Sequence, residues 1–595
     1  PYFFLARSTR YEKNNGYLVA SLLKNGEELP AIKRGKKHPR PSFRRKSFVS
    51  LEGEWDYCIT KDDALPEAYD GKIQVPFAIE SPLSGVNHLL LPEERLFYRR
   101  KIVLDSAFYQ EHVFLCFEGV DQFADVFVDG KHVCSHEGGY TRFRVDVRPY
   151  LSSPSFELVV RVRDRTDSSY LMTGKQRLTP NGWFYSSSSG IVKSVYLESA
   201  GKAAIDGLVL VPDFENKCVH VTVRSEVEGS CMVEVGEESV EVQTGKTVAV
   251  PLIPFRPWSI EDPYLYDVHV FGQDDEVFSY FGVRAIEVGG GKDGKRHIYL
   301  NGRKIFLNGL LDQGYYQGGG LTAPDESLFL KDIQNAKALG FNCLRMHVKV
   351  EEDRFYYLAA KEGIFLIQDI PNGGEHIPFF NVVYPRASVF LFNRPFYLTR
   401  KGYGRRNAEG CKKFIDESFA ILKDLAFNPA IVVVTIFNEA WGQFDPEKLY
   451  SILKREYPQF LFDTASGWLD TPKSDLFSIH SYTVPHLRRK RGERPYVLTE
   501  IGGASLKVAG HYLYPKVYGH HVCRSEEAFQ KRYRKLYEGF YRQIEDGSLN
   551  GLVYTQLNDC ETEANGIYTL DRAVLKLPCE MVKTINGTIA RLAKE

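Results

Sequence analysis

Between residues 42 and 200 the chain alternates apolar and polar positions in short runs, FYRRKIVL, HVFLCFEGV, ADVFVDGKHV, FELVVRVRD and KSVYLE, separated by turn residues. Alternation of period two predicts strands with one face on a core and one in water, and Asp129-Gly130 inside one run predicts a tight hairpin. Such strands in succession make a β-sandwich. Residues 201–286 continue in shorter form with GLVLVP, CVHVTVRSEV, CMVEVG and TVAVPL, a unit of the size of an immunoglobulin-like sandwich. Residues 1–41 are polar and irregular and read as an N-terminal arm.

From residue 287 to 595 the pattern is different. The glycine-rich GGGKDGK at 289–295 lacks the spacing of a phosphate loop and reads as a hairpin turn. Beyond it, apolar runs alternate with helical patterns such as SLFLKDIQNAKALG and RFYYLAAKEG, whose apolar residues recur at spacings of three and four. Eight runs read as strands: KIFLNGLL, NCLRMHV, IFLIQDI, IVVVTIF, FLFDTAS, LFSIHSY, YVLTEIG and GLVYTQLN. Eight parallel strands joined by helical crossovers close a (β/α) barrel, the TIM barrel. The fold class is therefore multidomain, two β-sandwiches followed by a TIM barrel.

Charge and composition exclude several function classes. Lys plus Arg and Asp plus Glu balance at 76 each, so no net field favours nucleic acid or an anionic membrane. Two basic runs, KRGKKHPRPSFRRK at 33–46 and RRKRGER at 488–494, have no aromatic platform beside them and read as solvated loops. No apolar run approaches the length of a membrane-spanning helix. The ten cysteines include no CxxC pair and no His/Cys cluster at metal spacing, so they read as reduced and buried, and neither a metal nor another cofactor is expected. The opening PYFFLARSTR has no signal-peptide pattern, which points to the cytoplasm, although a chain that begins at Pro1 also fits a processed start. The aromatic content suits interfaces between subunits, which leaves a homo-oligomer open.

The chemistry gathers at the carboxyl ends of the barrel strands, where such barrels place their active sites. The second strand ends in Arg345, His347 and Lys349, the third in Asp369, the fourth in Asn438, Glu439 and Trp441. Trp468 follows the fifth, His480 and Tyr482 end the sixth, Glu500 the seventh, and Gln556, Asn558 and Asp559 the eighth. Glu439 and Glu500 end strands four and seven, which face each other across a barrel mouth. Hydrolysis of a glycosidic bond needs such a pair, one carboxyl to protonate the leaving oxygen and one to attack or to activate water. Aromatic faces beside them stack on sugar rings. A strand-end glutamate can equally cap a helix or pair with arginine, but two of them flanked by Trp441, Trp468, His480 and Tyr482 favour the catalytic reading.

These segments resemble glycoside hydrolase family 2, the β-galactosidase, β-glucuronidase and β-mannosidase group, over about residues 42 to 595. FYRRKIVL, HEGGYTRFRVDV and SSGIVKSVYLE carry the likeness in the first sandwich, and FGVRAIEV leads into the barrel. In the barrel FLNGLLDQGYY, KALGFNCLRMHVKVE, FNEAWGQFD, ASGW, IHSY, TEIGG and NGIYTLDR resemble a bacterial branch. The resemblance implies a jelly-roll first domain of sugar-binding type and a retaining exo-β-glycosidase acting on a carbohydrate. It implies Glu439 as general acid and base, Glu500 as nucleophile, Asn438 on the sugar 2-hydroxyl, Tyr482 bonded to the nucleophile and His347 as a sugar ligand. Trp441, Trp468, His480 and Asp312 are assigned to the substrate by position.

One departure bears on specificity. The family's β-glucuronidases grip the sugar carboxylate with an Asn-x-Lys pair just before the segment that resembles GIYTLDR, whereas this chain has CETEAN at 560–565. Acidic side chains there would repel a uronate, which favours a neutral sugar, galactose first, with Lys349 or Lys175 as other sources of positive charge. β-Glucuronidase, β-mannosidase, arabinosidase and galactofuranosidase specificities remain alternatives. From other classes come a non-catalytic carbohydrate-binding protein, which would be expected to lack one glutamate, and a barrel lyase or isomerase, which would have no use for two leading β-domains. The loop LMTGKQRLTPNGWFY at 171–185 is long and aromatic for a turn and is expected to reach the barrel mouth.

Overall fold

A computed structural model of the chain describes residues 29–272, 274–375, 404–439, 442–467, 470–482 and 493–594. The first unit is a sandwich of a four-stranded and a six-stranded sheet. Its core takes alternate residues from the strands: Phe156, Leu158, Val160 and Val162 of Ser155–Arg163 point inward against Trp55, Leu96, Tyr98, Leu115 and Leu197. Asp129 and Gly130 join Phe123–Val128 to Lys131–Glu137 with φ of 45° and 76°, the doubly positive turn that matches the twist of a hairpin. The second unit packs a three-stranded sheet, Ile205–Asp213, Cys218–Ser225 and Thr247–Pro251, on a four-stranded one around Val219, Val221, Val233 and Val268. The glycine-rich segment is a hairpin turn between Ile286–Gly290 and Arg296–Leu300.

The barrel strands are β1 (Leu307–Asp312), β2 (Cys343–Met346), β3 (Phe365–Asp369), β4 (Ile431–Phe437), β5 (Leu461–Ala465), β6 (Phe477–Ser481), β7 (Tyr496–Gly502) and β8 (Gly551–Thr555). They pair in parallel in the order β5-β4-β3-β2-β1-β8-β7-β6. Each of the seven residues of β4 is buried, as expected where helices cover one face of a strand and the barrel interior the other. Across the one seam without a ladder, β5 to β6, Ser478 Oγ donates to Asp463 Oδ1 at 2.8 Å and Phe462 N to Asp475 Oδ2 at 2.8 Å. Helix α1 (Ser327–Ala338) buries Phe329, Ile333 and Ala336 at helical spacing, and α2 (Asp353–Glu362) stops at Gly363, whose φ is 71°.

The basic run at 33–46 is not a solvated loop. Arg34 donates to Ala323 O and Ser194 Oγ and pairs with Glu352 at 2.8 Å, while Arg45 is held by Glu198 at 2.8 Å and Asp275 at 2.9 Å. Both arginines are almost wholly buried, so this segment is a strap that ties the two sandwiches and the barrel together through ion pairs. Most of the run at 488–494 lies outside the described residues. Among the described residues no cysteine is in a disulfide, and eight of the ten are buried, as the scattered spacing predicts.

Candidate active site

The carboxyl ends of β2, β3, β4 and β7 meet on one guanidinium. Arg345 is fully buried and donates through Nε and Nη2 to both oxygens of Asp369, at 3.0 and 2.9 Å. It also reaches Asn438 Oδ1 at 2.8 Å, Glu500 Oε1 at 3.1 Å and the Thr499 carbonyl at 3.0 Å. A buried guanidinium persists only when paired and hydrogen-bonded throughout, so this one fixes side chains from three other strands. With Oδ1 turned to Arg345, Asn438 keeps its amide NH2 as the end left to donate to a ligand.

Glu439 follows Asn438 at the rim, its side chain one-fifth exposed at 20%, and accepts a short hydrogen bond from His480 Nδ1. The other ring nitrogen of His480 meets Ser466 Oγ at 3.0 Å and Arg345 Nη1 at 3.4 Å. Gly467 is required beside it: its φ is 98°, and a Cβ there would lie 2.8 Å from His480 Nδ1.

Glu500 is buried in the mouth. Its Oε2 accepts a short hydrogen bond from Tyr482 Oη, and its Oε1 lies 3.5 Å from His480 Nδ1 and 3.9 Å from His347 Nδ1. Burial works against its charge, but His480, His347, Arg345 and Lys175 together outweigh burial and hold this carboxyl well below the usual carboxylate range. Because His480 Nδ1 touches one carboxylate and nearly touches the other, the nearest oxygens of Glu439 and Glu500 are at most ~6 Å apart. Tyr482 is pushed well above the usual phenol range, first by burial and then by the two glutamates, so it stays a donor. His520 stacks on it with ring centres 3.6 Å apart. His347 gives its Nδ1 proton to Asp369 at 3.1 Å, and burial with the nearby Lys175 lowers it to about 4, so near neutral pH it presents Nε2 as an acceptor.

The sandwich loop at 171–185 does reach this mouth. Thr173 N and Gly174 N donate to Asn372 O at 2.9 and 3.0 Å, and Met172 bridges to Gly373 beyond the end of β3. A side chain at Gly174 would strike Tyr140 Oη at 2.4 Å and Val348 O at 2.9 Å. Lys175 is brought close enough to act on Glu500 and His347, and among the described residues it has no ion-pair partner. Trp183 packs edge-on against Tyr518 at 5.2 Å, farther along the same rim.

Other expected site residues fare differently. Trp441 and Trp468 lie outside the described residues. Asp312 ends β1, but its Oδ1 accepts from Gly314 N at 2.8 Å and its Oδ2 has no hydrogen-bond partner, so it shapes a turn and makes no bond to either glutamate. Lys349 is taken up by a short ion pair with Glu351 and is unavailable to a substrate carboxylate. Arg345 and Asp369 stand at strand ends in the sequence without a role there, because a linear pattern cannot show that one guanidinium serves several strands.

The acidic segment 560–565 also behaves differently from expectation. Glu561 accepts from Ser186 N at 2.8 Å, and Glu563 accepts from Tyr185 Oη and from Asn565 Nδ2 at 3.2 Å. Burial lifts Glu561 from 4.5 to about 7 and lifts Glu563 too, so the segment carries less charge than its composition suggests and repels a uronate correspondingly less. The shift has a consequence for stability. A carboxyl whose folded value is raised binds its proton more tightly when folded, so its contribution is complete below 4.5 and is lost as pH rises through about 7. Glu561→Gln keeps an acceptor for Ser186 and has no proton to lose. It is expected to be more stable than the parent above pH ~7, by a few degrees in Tm, and little different near pH ~4. Parallel melting curves at the two pH values check this.

Residues 74–189 match the family model for the glycosyl hydrolase 2 galactose-binding domain-like fold. The β-galactosidase of Kluyveromyces lactis is 24% identical over 520 residues, covering 78% of this chain and 48% of that protein. These matches support glycoside hydrolase family 2 as the family this chain is similar to. A second relative, the β-galactosidase of Thermoanaerobacter pseudethanolicus, is 26% identical over 303 residues, 47% of this chain and 40% of that protein. The chain spans less than half the length of these curated relatives. Among solved structures, the family 2 β-galacturonidase from Eisenbergiella tayi bound to galacturonate superposes with a TM-score of 0.69 at 20% identity, covering 93% of this chain and 99% of that one. That likeness gives the fold alone.

Proposed function

We propose that the protein is a retaining, exo-acting β-glycosidase that removes terminal sugars by double displacement. One observation carries the reading: two strand-end carboxyls share His480 Nδ1 yet sit in opposite surroundings. Glu500, buried and kept anionic by the charges around it, is suited to attack the anomeric carbon. Glu439, at the partly open rim, is suited to protonate the leaving oxygen and then to take a proton from the incoming water. Nearest carboxylate oxygens at most ~6 Å apart support the close pair of a retaining enzyme, since an inverting pair is set wider to leave room for water. The amide NH2 of Asn438 and the Nε2 of His347 supply a donor and an acceptor for sugar hydroxyls. Action on chain ends is supported by the sandwich loop laid over the mouth.

A panel of nitrophenyl glycosides read by proton NMR tests the reaction type. The first product released from a β-glycoside should be the β-anomer, and an α-anomer or no release from any member would remove this reading. β-Galactosidases among the relatives, and CETEAN in place of an Asn-x-Lys pair, favour a neutral sugar with galactose first.

Lys175 favours a second reading, a hexuronide. An ammonium without an ion-pair partner among the described residues, acting on both Glu500 and His347, is suited to a sugar carboxylate. Under that reading Lys175→Gln lowers kcat/KM for aryl β-hexuronides by ~10- to 200-fold while galactosides change little. Equal losses on both substrates would make Lys175 a general part of the pocket and leave the neutral sugar standing.

A further inference from the structure

The immunoglobulin-like unit carries three metal-ligating side chains that the glycosidase reading does not use. They lie on the hairpin made by Ile205–Asp213 and Cys218–Ser225, where Asp213 is directly opposite Cys218 in the antiparallel register. Strand residues two apart share a face, so Cys218 and His220 project to one side while Val219, Val221 and Val223 project to the other. The valines pack together in the core of this unit, whereas Cys218, although buried, is not part of that cluster. The thiol is therefore not a core filler. It sits on the outer face, beside a carboxylate and an imidazole.

The three ligand atoms are also close enough together to share one metal ion. His220 Nε2 lies 3.4 Å from Asp213 Oδ2 and 3.9 Å from Cys218 Sγ, and the three ligand atoms all fall within 4.8 Å of one another. Bond lengths of 2.0 to 2.3 Å in a tetrahedron place neighbouring N, O and S ligands ~3.3 to 3.6 Å apart, so the His220–Asp213 pair is already at ligand spacing, the Cys218–His220 pair is a few tenths of an ångström wide of it, and the thiol and carboxylate close up by at most about 1.5 Å on binding. Asn216 in the turn already orients the carboxylate, donating from its backbone N to Oδ1 at 2.9 Å and from Nδ2 to Oδ2 at 2.8 Å. Each carboxylate oxygen has two lone pairs, so these bonds survive metal binding.

We propose that Asp213 Oδ2, Cys218 Sγ and His220 Nε2 form a zinc site, with water in the fourth position. One thiolate, one imidazole and one carboxylate select a borderline-soft cation over magnesium or calcium, which prefer oxygen alone. On binding, the Cys218 thiol loses its proton to solvent and the neutral His220 keeps its other ring proton on Nδ1. The site clamps the turn at 214–217 and is independent of the barrel mouth. A scan for CxxC spacing overlooks it, because the carboxylate arrives from across a hairpin.

The test uses the full chain, kept reduced, freed of metal with a chelator and titrated with Co2+ and then Zn2+. One equivalent of cobalt should give a thiolate-to-metal charge-transfer absorption in the near ultraviolet, and one equivalent of zinc should abolish it. Zinc should also raise Tm, since it binds only the folded hairpin. In Cys218→Ala the absorption should vanish. In His220→Ala, at a half-exposed position that tolerates change, cobalt affinity should fall at least ~10-fold. No absorption in the parent, an undiminished band in Cys218→Ala, or unchanged affinity in His220→Ala would each overturn the site.

Discussion

Glu500→Gln is expected to fold normally and to lose turnover of aryl β-glycosides by at least ~10³-fold. The amide is nearly isosteric and can keep its one carbonyl oxygen toward Arg345, with its NH2 toward Tyr482 Oη, which can turn to accept, so the packing around Arg345 survives. What disappears is the anionic oxygen that forms the glycosyl-enzyme bond. The change also removes a charge that offsets the buried Arg345 guanidinium, whose other carboxylate partner is Asp369 at 2.9 Å. Stability should therefore fall modestly, by roughly 1 to 3 kcal/mol. Circular dichroism and a melting curve alongside the kinetics separate the two effects. A folded Glu500→Gln protein with activity within ~10-fold of the parent would exclude Glu500 as the nucleophile.

Glu439→Ala should give an asymmetric loss. Substrates with poor leaving groups depend on protonation of the departing oxygen, and their kcat/KM should fall by ~10² to 10⁴-fold. Activated aryl glycosides leave without help, so their first step should change far less. Their second step then stalls, because no base takes a proton from water. Azide needs no such base and should restore turnover, yielding a glycosyl azide that keeps the β configuration. Equal losses on both kinds of substrate with no azide product would make Glu439 a structural residue at the end of β4.

The parts of this molecule that were legible in the sequence are those set by local periodicity. The run IVVVTIF announces a strand buried on both faces, and β4 is such a strand. The Asp129-Gly130 turn follows from the positive φ that only a few residue types accept. The meeting of Glu439, Glu500, His480, Tyr482, Asn438 and His347 follows from strand-end position once eight strands are counted. What was hidden depends on partners distant in sequence. Arg34 and Arg45 look like solvated charges until Glu352, Glu198 and Asp275 are brought to them. Glu561 and Glu563 look like a negative patch until Ser186 and Tyr185 of the sandwich engage them. Arg345 gains its role only when β2, β3, β4 and β7 close around it. In each case the deciding energy is electrostatic and non-local, and a single chain read in order carries no distance information for it.

The most direct test of double displacement is to trap the intermediate. A 2-deoxy-2-fluoro β-glycoside with a good leaving group slows both steps, the second more when the leaving group is activated, so the glycosyl-enzyme should accumulate. Double displacement through Glu500 predicts a burst of one equivalent of leaving group, a matching mass increase of the protein, and a proteolytic peptide from TEIGG that carries the sugar on Glu500. A burst with the label on any other residue, or steady slow release with no adduct from a substrate whose parent sugar is hydrolysed, would contradict it.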